Sequence, residues 1–395
     1  MKILFRVFLA LFAMSLASSA FSKQESFKAL SNRVFDLAQK QYIAMSESVK
    51  DSGRFPRSIK DGKLETSDRG WWCSGFFPGS LWYIYEYGKD ESVKNLALLF
   101  TKKLEPLSFA NTPIDHDIGF QINCSYGNAY RLTKDKALLP IMLASAEKLS
   151  KRFSPKVGAI KSWNWKSGYP VIIDNMMNLE LLCKASKISS NKAYLDVAKA
   201  HADTTMENHF RPDGSSFHLV LYDENSGAVL RRQTWQGLSD ASAWARGQAW
   251  GLYGYVMMYR ETEVCAYLRQ AEKIAKFILE HKNLPADKVP LWDFDAPKDG
   301  LRDASAAAII ASALIDLSQL TKDRKLSKLC LQTAETQLRT LSSDAYLAKP
   351  GTNCNFILKH SVGSLPHKSE VDVPLSYADY YFLEALLKFN RLGIY

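Results

Sequence analysis

Three short stretches of the 395-residue chain concentrate side chains able to do chemistry. The first is Thr112-Pro-Ile-Asp-His-Asp-Ile-Gly-Phe120, where Asp115 and Asp117 flank His116 just ahead of a run with helical periodicity. A lone acid at such a place is commonly a helix N-cap. Two acids around an imidazole, followed by Gly119 and an aromatic ring, also make a proton-handling site. The second stretch is Tyr169-Pro-Val-Ile-Ile-Asp-Asn-Met-Met-Asn178. Asp174 follows mostly apolar residues, and desolvation disfavours a charged carboxyl, so its pKa is expected to rise toward values useful in acid–base work. The competing assignment is a capping Asp with Asn178 on the next turn. The third stretch begins at Trp235 and Gln236 and runs through Arg246 to Trp250. Arg246 and Trp250 are four apart and share one face of a helix. A planar guanidinium beside an indole suits a carboxylated sugar, with the fork on the carboxylate and the ring on the sugar face. Pairing of Arg246 with a structural acid such as Asp240 is the alternative.

These groups can act together only if a scaffold gathers them. Apolar residues recur at spacings of three and four in Phe27–Met45, Gly75–Tyr87, Ser92–Phe109, Gly119–Leu132, Lys136–Phe153, Asn175–Ile188 and Ala193–His209. The same spacing returns in Ala243–Arg260, Val264–His281, Ala304–Leu320, Lys325–Leu341 and Tyr377–Arg391, giving twelve helical segments. Only Phe217–Thr234 and Asn355–Lys359 read as extended. Short breakers recur at Tyr87–Asp90, Leu132–Asp135, Ser189–Asn191, Arg260–Thr262 and Leu320–Asp323, the first two 45 residues apart. Such a repeat is a helical hairpin, stacked either as an open solenoid or as a ring. Aromatic and polar residues crowd the starts of first helices and the loops before them, among them Trp71, Trp72, Trp163, Trp165 and Trp235. A ring would bring those ends to one mouth, whereas an open array would spread them along a face. The expected fold is therefore an all-α (α/α)6 barrel of six hairpins, spanning residues 23–395 as a single domain.

Composition agrees with a soluble globular chain: 47% hydrophobic and 23% charged, with only 20 Gly and 14 Pro, which leaves little for long linkers. Residues 1–22 run from basic (Lys2, Arg6) through an apolar stretch, Val7 to Leu16, to small residues at Ala17–Ala20. That order describes a cleavable secretory signal peptide, too short in its apolar part for a membrane span. No Cys follows the stretch, so no lipid anchor is expected, and the destination is the periplasm or the exterior. The formal charge of +10 suits an anionic ligand. Basic residues are dispersed and no nucleic-acid motif is present, which argues against a nucleic-acid partner. Six cysteines are scattered without a CxxC pair, and no HExxH occurs, so no metal site is expected and buried free thiols are favoured over disulfides.

Five stretches together resemble the unsaturated glucuronyl hydrolases, glycoside hydrolase family 88, over essentially the whole chain after the leader. They are Trp72–Trp82, His116-Asp-Ile-Gly-Phe120, Ile173-Asp-Asn-Met-Met-Asn178, Ala243–Tyr253 and Asp372–Glu384. The resemblance implies an (α/α)6 barrel and a cofactor-free reaction on lyase-generated oligosaccharides that end in a C4=C5 unsaturated uronic acid. It implies Asp174 as the acid/base that protonates C4 and assists water onto C5, and Asp117 as the second essential acid. His116, His218, Gln236, Arg246 and Trp250 match substrate-binding positions, and Trp72 and Trp163 are the expected sugar platforms. Some relatives hold a sulfate with a Ser- and Lys-containing loop, and Lys359–Lys368 lies in that region. Glycosaminoglycan fragments of chondroitin, hyaluronan or heparin type are the expected substrates, possible sulfation included. Unsaturated rhamnogalacturonan or ulvan fragments, or a sugar-binding barrel without catalysis, are the competing readings.

Overall fold

The computed structural model describes residues 25–109 and 114–393. The expected leader, residues 1–22, lies outside them, as do Thr112 and Pro113 of the first stretch.

All twelve expected helical segments form, with ends shifted by a few residues. One set is buried over most of its length: Phe76–Gly88, Ile118–Ile122 continuing into Asn128–Thr133, Leu179–Ser189, Ala245–Thr262, Ala304–Leu320 and Ser376–Arg391. The other set is amphipathic: Phe27–Val49, Glu91–Lys102, Leu139–Ser150, Lys192–Asn208, Cys265–Glu280 and Arg324–Leu341. Cys265–Glu280 illustrates the pattern, burying Tyr267, Leu268, Ala271, Ile274, Ala275 and Ile278 at spacings of three and four. Each inner helix packs on the next, and Ser376–Arg391 meets both Ala304–Leu320 and Phe76–Gly88, which closes the ring. The result is an (α/α)6 barrel. Among the inner helices Ala304–Leu320 is rich in small side chains, with Ala304, Ala306, Ala307, Ala308, Ala311 and Ala313 all buried.

Three of the recurrent breakers share one local cause. Lys89, Lys134 and Ser190 end inner helices in the left-handed region, at φ of 57°, 57° and 59°. The next residues, Asp90, Asp135 and Asn191, cap the following helix by accepting a backbone N–H two positions on. Reversal of the chain thus takes two residues, which keeps outer and inner helices antiparallel and adjacent.

Extended structure exceeds the sequence expectation. Antiparallel hairpins form from β1 (Phe55–Lys60) with β2 (Lys63–Ser67), β3 (Phe153–Ser154) with β4 (Ala159–Ile160), and β8 (Ser361–Ser364) with β9 (Ser369–Val373). A three-stranded sheet places β6 (Leu219–Tyr222) between β5 (Tyr169–Ile172) and β7 (Val229–Gln233). Its inner face packs Val171, Tyr169, Val220 and Tyr222 on Val157 and Ala159. Asn355–Lys359, expected as extended, is not a ladder strand. The N–H groups of Ile357 and Leu358 donate instead to the Asp379 carboxylate, at 2.9 and 2.8 Å. Among the described residues no cysteines pair. Cys73, Cys124, Cys183 and Cys330 are buried thiols, but Cys265, which opens the helix Cys265–Glu280, is exposed, and Cys354, in the surface turn Asn353–Asn355, is partly so.

Candidate active site

The loops that precede the inner helices, together with the β8–β9 hairpin, enclose a cavity of about 320 Å³. Asp117 and Asp174 line it, as do Trp72, Trp163, Gln236 and Arg246. Most of the expected site residues are thereby brought together.

Asp117 sits immediately before the helix Ile118–Ile122, and its neighbour His116 is fully buried. The His116 Nε2 atom lies 3.5 Å from Asp117 Oδ1. Its Nδ1 atom lies 3.1 Å from the amide nitrogen of Asn178. Burial pushes the His116 imidazole down to about 4, so it is neutral near pH 7. Burial, and then the charges of Asp115 and Asp174, raise Asp117 well above the usual carboxylate range. These influences favour the neutral form of the carboxyl.

Asp174 belongs to the 3-10 turn Ile173–Met177, just after β5, and is partly buried. Its Oδ2 atom lies 3.5 Å from His218 Nε2 and has no hydrogen-bond partner. His218 stands just ahead of β6, which pairs with β5, so the Ile172–Leu219 register sets His218 opposite Ile173 and beside the turn that carries Asp174. The His218 Nδ1 atom accepts the backbone N–H groups of Trp235 and Gln236 at 3.1 and 3.2 Å, which leaves the ring proton on Nε2, facing Asp174. Burial by itself would raise Asp174. His218, then His116 and Arg246, outweigh it and hold the carboxyl below its ordinary range. The expectation of a raised Asp174 is therefore reversed in the unliganded chain. The apolar neighbours Val171 and Ile173 turn their side chains into the core, and what Asp174 meets is imidazole and guanidinium.

Two further expectations change. Arg246 is only 1% exposed, and its fork is already occupied. It binds Asp303 at 3.3 Å and donates to the carbonyls of Val362 and Gly363 on β8, instead of pairing with Asp240, which meets Arg231. The guanidinium thus anchors the β8–β9 hairpin at the edge of the cavity. Trp250 is 0% exposed and packs against Phe120 and Tyr381, so it supports the site from beneath and presents no stacking face to a ligand.

The walls are aromatic. Trp72 rests on Phe76, Phe120 and Tyr377. Trp163, Trp165 and Trp235 form a cluster with ring centroids 5.3 to 5.8 Å apart, and Trp235 is 43% exposed. Such faces stack on the apolar side of a pyranose. Ser364, His367 and Ser369 of the hairpin also line the cavity, with Ser364 Oγ 2.7 Å from His367 Nδ1. The sequence offered only a serine- and lysine-bearing loop there. Asn178 was legible as a residue one turn past Asp174, yet its bond to His116 had no sequence signal. Among the described residues no group of three or more His, Cys, Asp or Glu converges as metal ligands would.

Comparison with known proteins agrees with this geometry. The model of Glycosyl Hydrolase Family 88 matches residues 45–345. An unsaturated glucuronyl hydrolase of Formosa agariphila is 44% identical over 352 residues, covering 86% of each chain. A solved unsaturated glucuronyl hydrolase specific for heparin superposes with a TM-score of 0.86 at 49% identity, over 91% of this chain and 97% of that one. A variant of the Streptococcus agalactiae unsaturated glucuronyl hydrolase complexed with dGlcA-GalNAc6S gives a TM-score of 0.80 at 27% identity, over 93% of each. The chain belongs to Glycosyl Hydrolase Family 88.

Proposed function

We propose that this chain is an exo-acting hydrolase that removes the 4,5-unsaturated uronic acid from the non-reducing end of lyase-generated glycosaminoglycan oligosaccharides. The observation that carries the reading is a sugar-sized, indole-walled cavity onto which two carboxyls open, each with an imidazole Nε2 atom 3.5 Å away.

In this reading the reaction is hydration of a vinyl ether. Asp174 delivers a proton to C4, water adds to C5 as its proton returns to Asp174, and the resulting hemiketal opens. The C1 hemiacetal so formed expels the remaining sugar and leaves a 4-deoxy-5-keto uronate. Asp174 is ionised in the free chain, so the proton must arrive with the substrate. A uronate carboxylate closing over the cavity adds a like charge and expels water, and both raise the Asp174 pKa. Asp117, which burial and the charges of Asp115 and Asp174 push toward its neutral form, can when protonated donate a hydrogen bond to the ring without placing a second negative charge beside that carboxylate. Trp72, Trp163 and Trp235 serve as sugar platforms, and Gln236 as a hydrogen-bonding side chain. Trp250 and Arg246 serve from behind, as packing and as a positive charge.

The relatives point to glycosaminoglycan fragments, since one is specific for heparin and another binds dGlcA-GalNAc6S. Ser364, His367 and Ser369 supply hydroxyls and an imidazole for a sulfate on the second sugar. The chain, on this proposal, loses residues 1–22 on export and works in the periplasm or outside the cell, with residues 23–395 as one catalytic unit. Among the described residues no helix is long and apolar enough to cross a membrane. No nucleic acid takes part.

The test is a panel of unsaturated disaccharides from chondroitin, hyaluronan, heparin, ulvan and rhamnogalacturonan, followed by loss of ultraviolet absorbance. Turnover confined to the first three supports the proposal. Preference for ulvan or rhamnogalacturonan products replaces the substrate class, and binding without absorbance loss replaces catalysis by sugar binding.

A further inference from the structure

The Asn178 side chain is fully buried between the two carboxyl-bearing segments, and each of its polar atoms has a defined task. Its Oδ1 atom accepts the Phe120 backbone N–H at 2.7 Å, which fixes which end of the amide is oxygen. Its Nδ2 atom therefore faces His116 Nδ1 at 3.1 Å and Asn175 Oδ1 at 3.5 Å. Asn175 is oriented in turn by donating to the Ile160 carbonyl at 2.9 Å. An amide N–H can only donate, so His116 Nδ1 accepts and the imidazole proton sits on Nε2, beside Asp117. The approach is close enough that a Cβ on Gly119 would fall 2.4 Å from Asn178, so only glycine fits there.

We propose that Asn178 is a positioning residue for the reaction, holding His116 as the Nε2–H tautomer aimed at Asp117 from one turn beyond Asp174. This rests on the reading of Asp117 and Asp174 as the reacting carboxyls. Charged groups that act on His116 are Asp115, Asp174 and Arg152, and Asp117 stands at its Nε2. The neutral ring suits this setting: it offers a donor to Asp117 without a full positive charge, which would pull the pKa of that carboxyl down. His218 has the same tautomer by another route, since backbone N–H groups occupy its Nδ1. Both carboxyls thus face an Nε2–H, but only the one at His116 depends on a replaceable side chain.

The chain has seven histidines, which makes nitrogen-15 spectra of histidine-labelled protein practicable. Expected at pH 7 is a neutral His116 with its proton on Nε2. In the isosteric Asn178→Asp variant a carboxylate oxygen replaces the amide N–H. His116 should then take a second proton, kcat on an unsaturated disaccharide should fall by at least about 10²-fold with KM within a few fold, and the limb of the pH profile set by Asp117 should move to lower pH. Asn178→Ala, which loses the Phe120 bond too, should also lower the melting temperature. The proposal is overturned by a wild-type His116 that is charged or protonated on Nδ1 at pH 7. It is equally overturned by an Asn178→Asp chain that melts earlier but keeps wild-type kcat and pH profile. If the wild-type chain consumes no unsaturated disaccharide, the functional reading fails, while the nitrogen-15 assignment still decides the tautomer.

Discussion

His218 Nε2 and Asp174 Oδ2 stand 3.5 Å apart, with the ring locked from behind by the backbone N–H groups of Trp235 and Gln236. The loop carrying two cavity-lining side chains thereby sets the proton position on the imidazole that depresses Asp174. Replacing His218 by Ala removes the strongest of the groups that oppose burial at that carboxyl and leaves His116 and Arg246 to oppose it. The Asp174 pKa should rise. The alkaline limb of kcat/KM, where the free enzyme's Asp174 loses the proton it must deliver, should move to higher pH. A limb that stays in place would dissociate it from Asp174.

The depressed Asp174 pKa also separates two pH profiles. In the free chain the carboxyl is ionised above its lowered pKa and gains a proton only as pH falls through that value. With an anionic sugar bound, like charge and desolvation push the same group upward. The pKa read from kcat should therefore lie above that read from kcat/KM, by about one unit or more for a bound carboxylate a few ångströms away. Coincident profiles would contradict proton uptake on binding.

Arg246 and Asp303 are both buried, so Arg246→Ala strands an unpaired carboxylate as well as freeing the carbonyls of Val362 and Gly363. Unfolding in urea should show a loss of about 3–5 kcal/mol, with KM raised through a loosened β8–β9 hairpin. Unchanged stability with a raised KM would favour direct contact with the substrate carboxylate instead.

Two tryptophans from one sequence stretch should behave oppositely. Trp235→Ala removes a 43% exposed ring from the cavity wall, so KM should rise by roughly 10-fold or more with little change in melting temperature. Trp250→Ala empties a fully buried site and should cost about 3–5 kcal/mol of stability. Stability and affinity measured on both variants decide the assignment.

The barrel was legible because its information is local. Amphipathic spacing marks Cys265–Glu280, and pairs such as Lys89–Asp90 announce a left-handed end followed by a cap. The hairpin β8–β9 was not, since its strands are four and five residues long and owe their place to Arg246, 57 residues from the nearest ion-pair partner Asp303. Asp117 and Asp174 could be singled out as acids at helix starts beside apolar or imidazole neighbours. The direction of their pKa shifts could not, because it depends on His218 and Asp115 approaching from particular sides. Strand pairing of β5 with β6 supplies the first of these, and that register is invisible until the sheet exists.

Turnover of an unsaturated chondroitin or heparin disaccharide in deuterated water, followed by proton NMR, tests hydration by Asp174 most directly. The wild-type chain should consume the alkene and leave one deuterium at C4 of the released 4-deoxy uronate, and Asp174→Asn, folded and able to bind, should leave the alkene intact. A released uronate that still carries its C4=C5 bond, or deuterium incorporation by Asp174→Asn at the wild-type rate, would contradict the account.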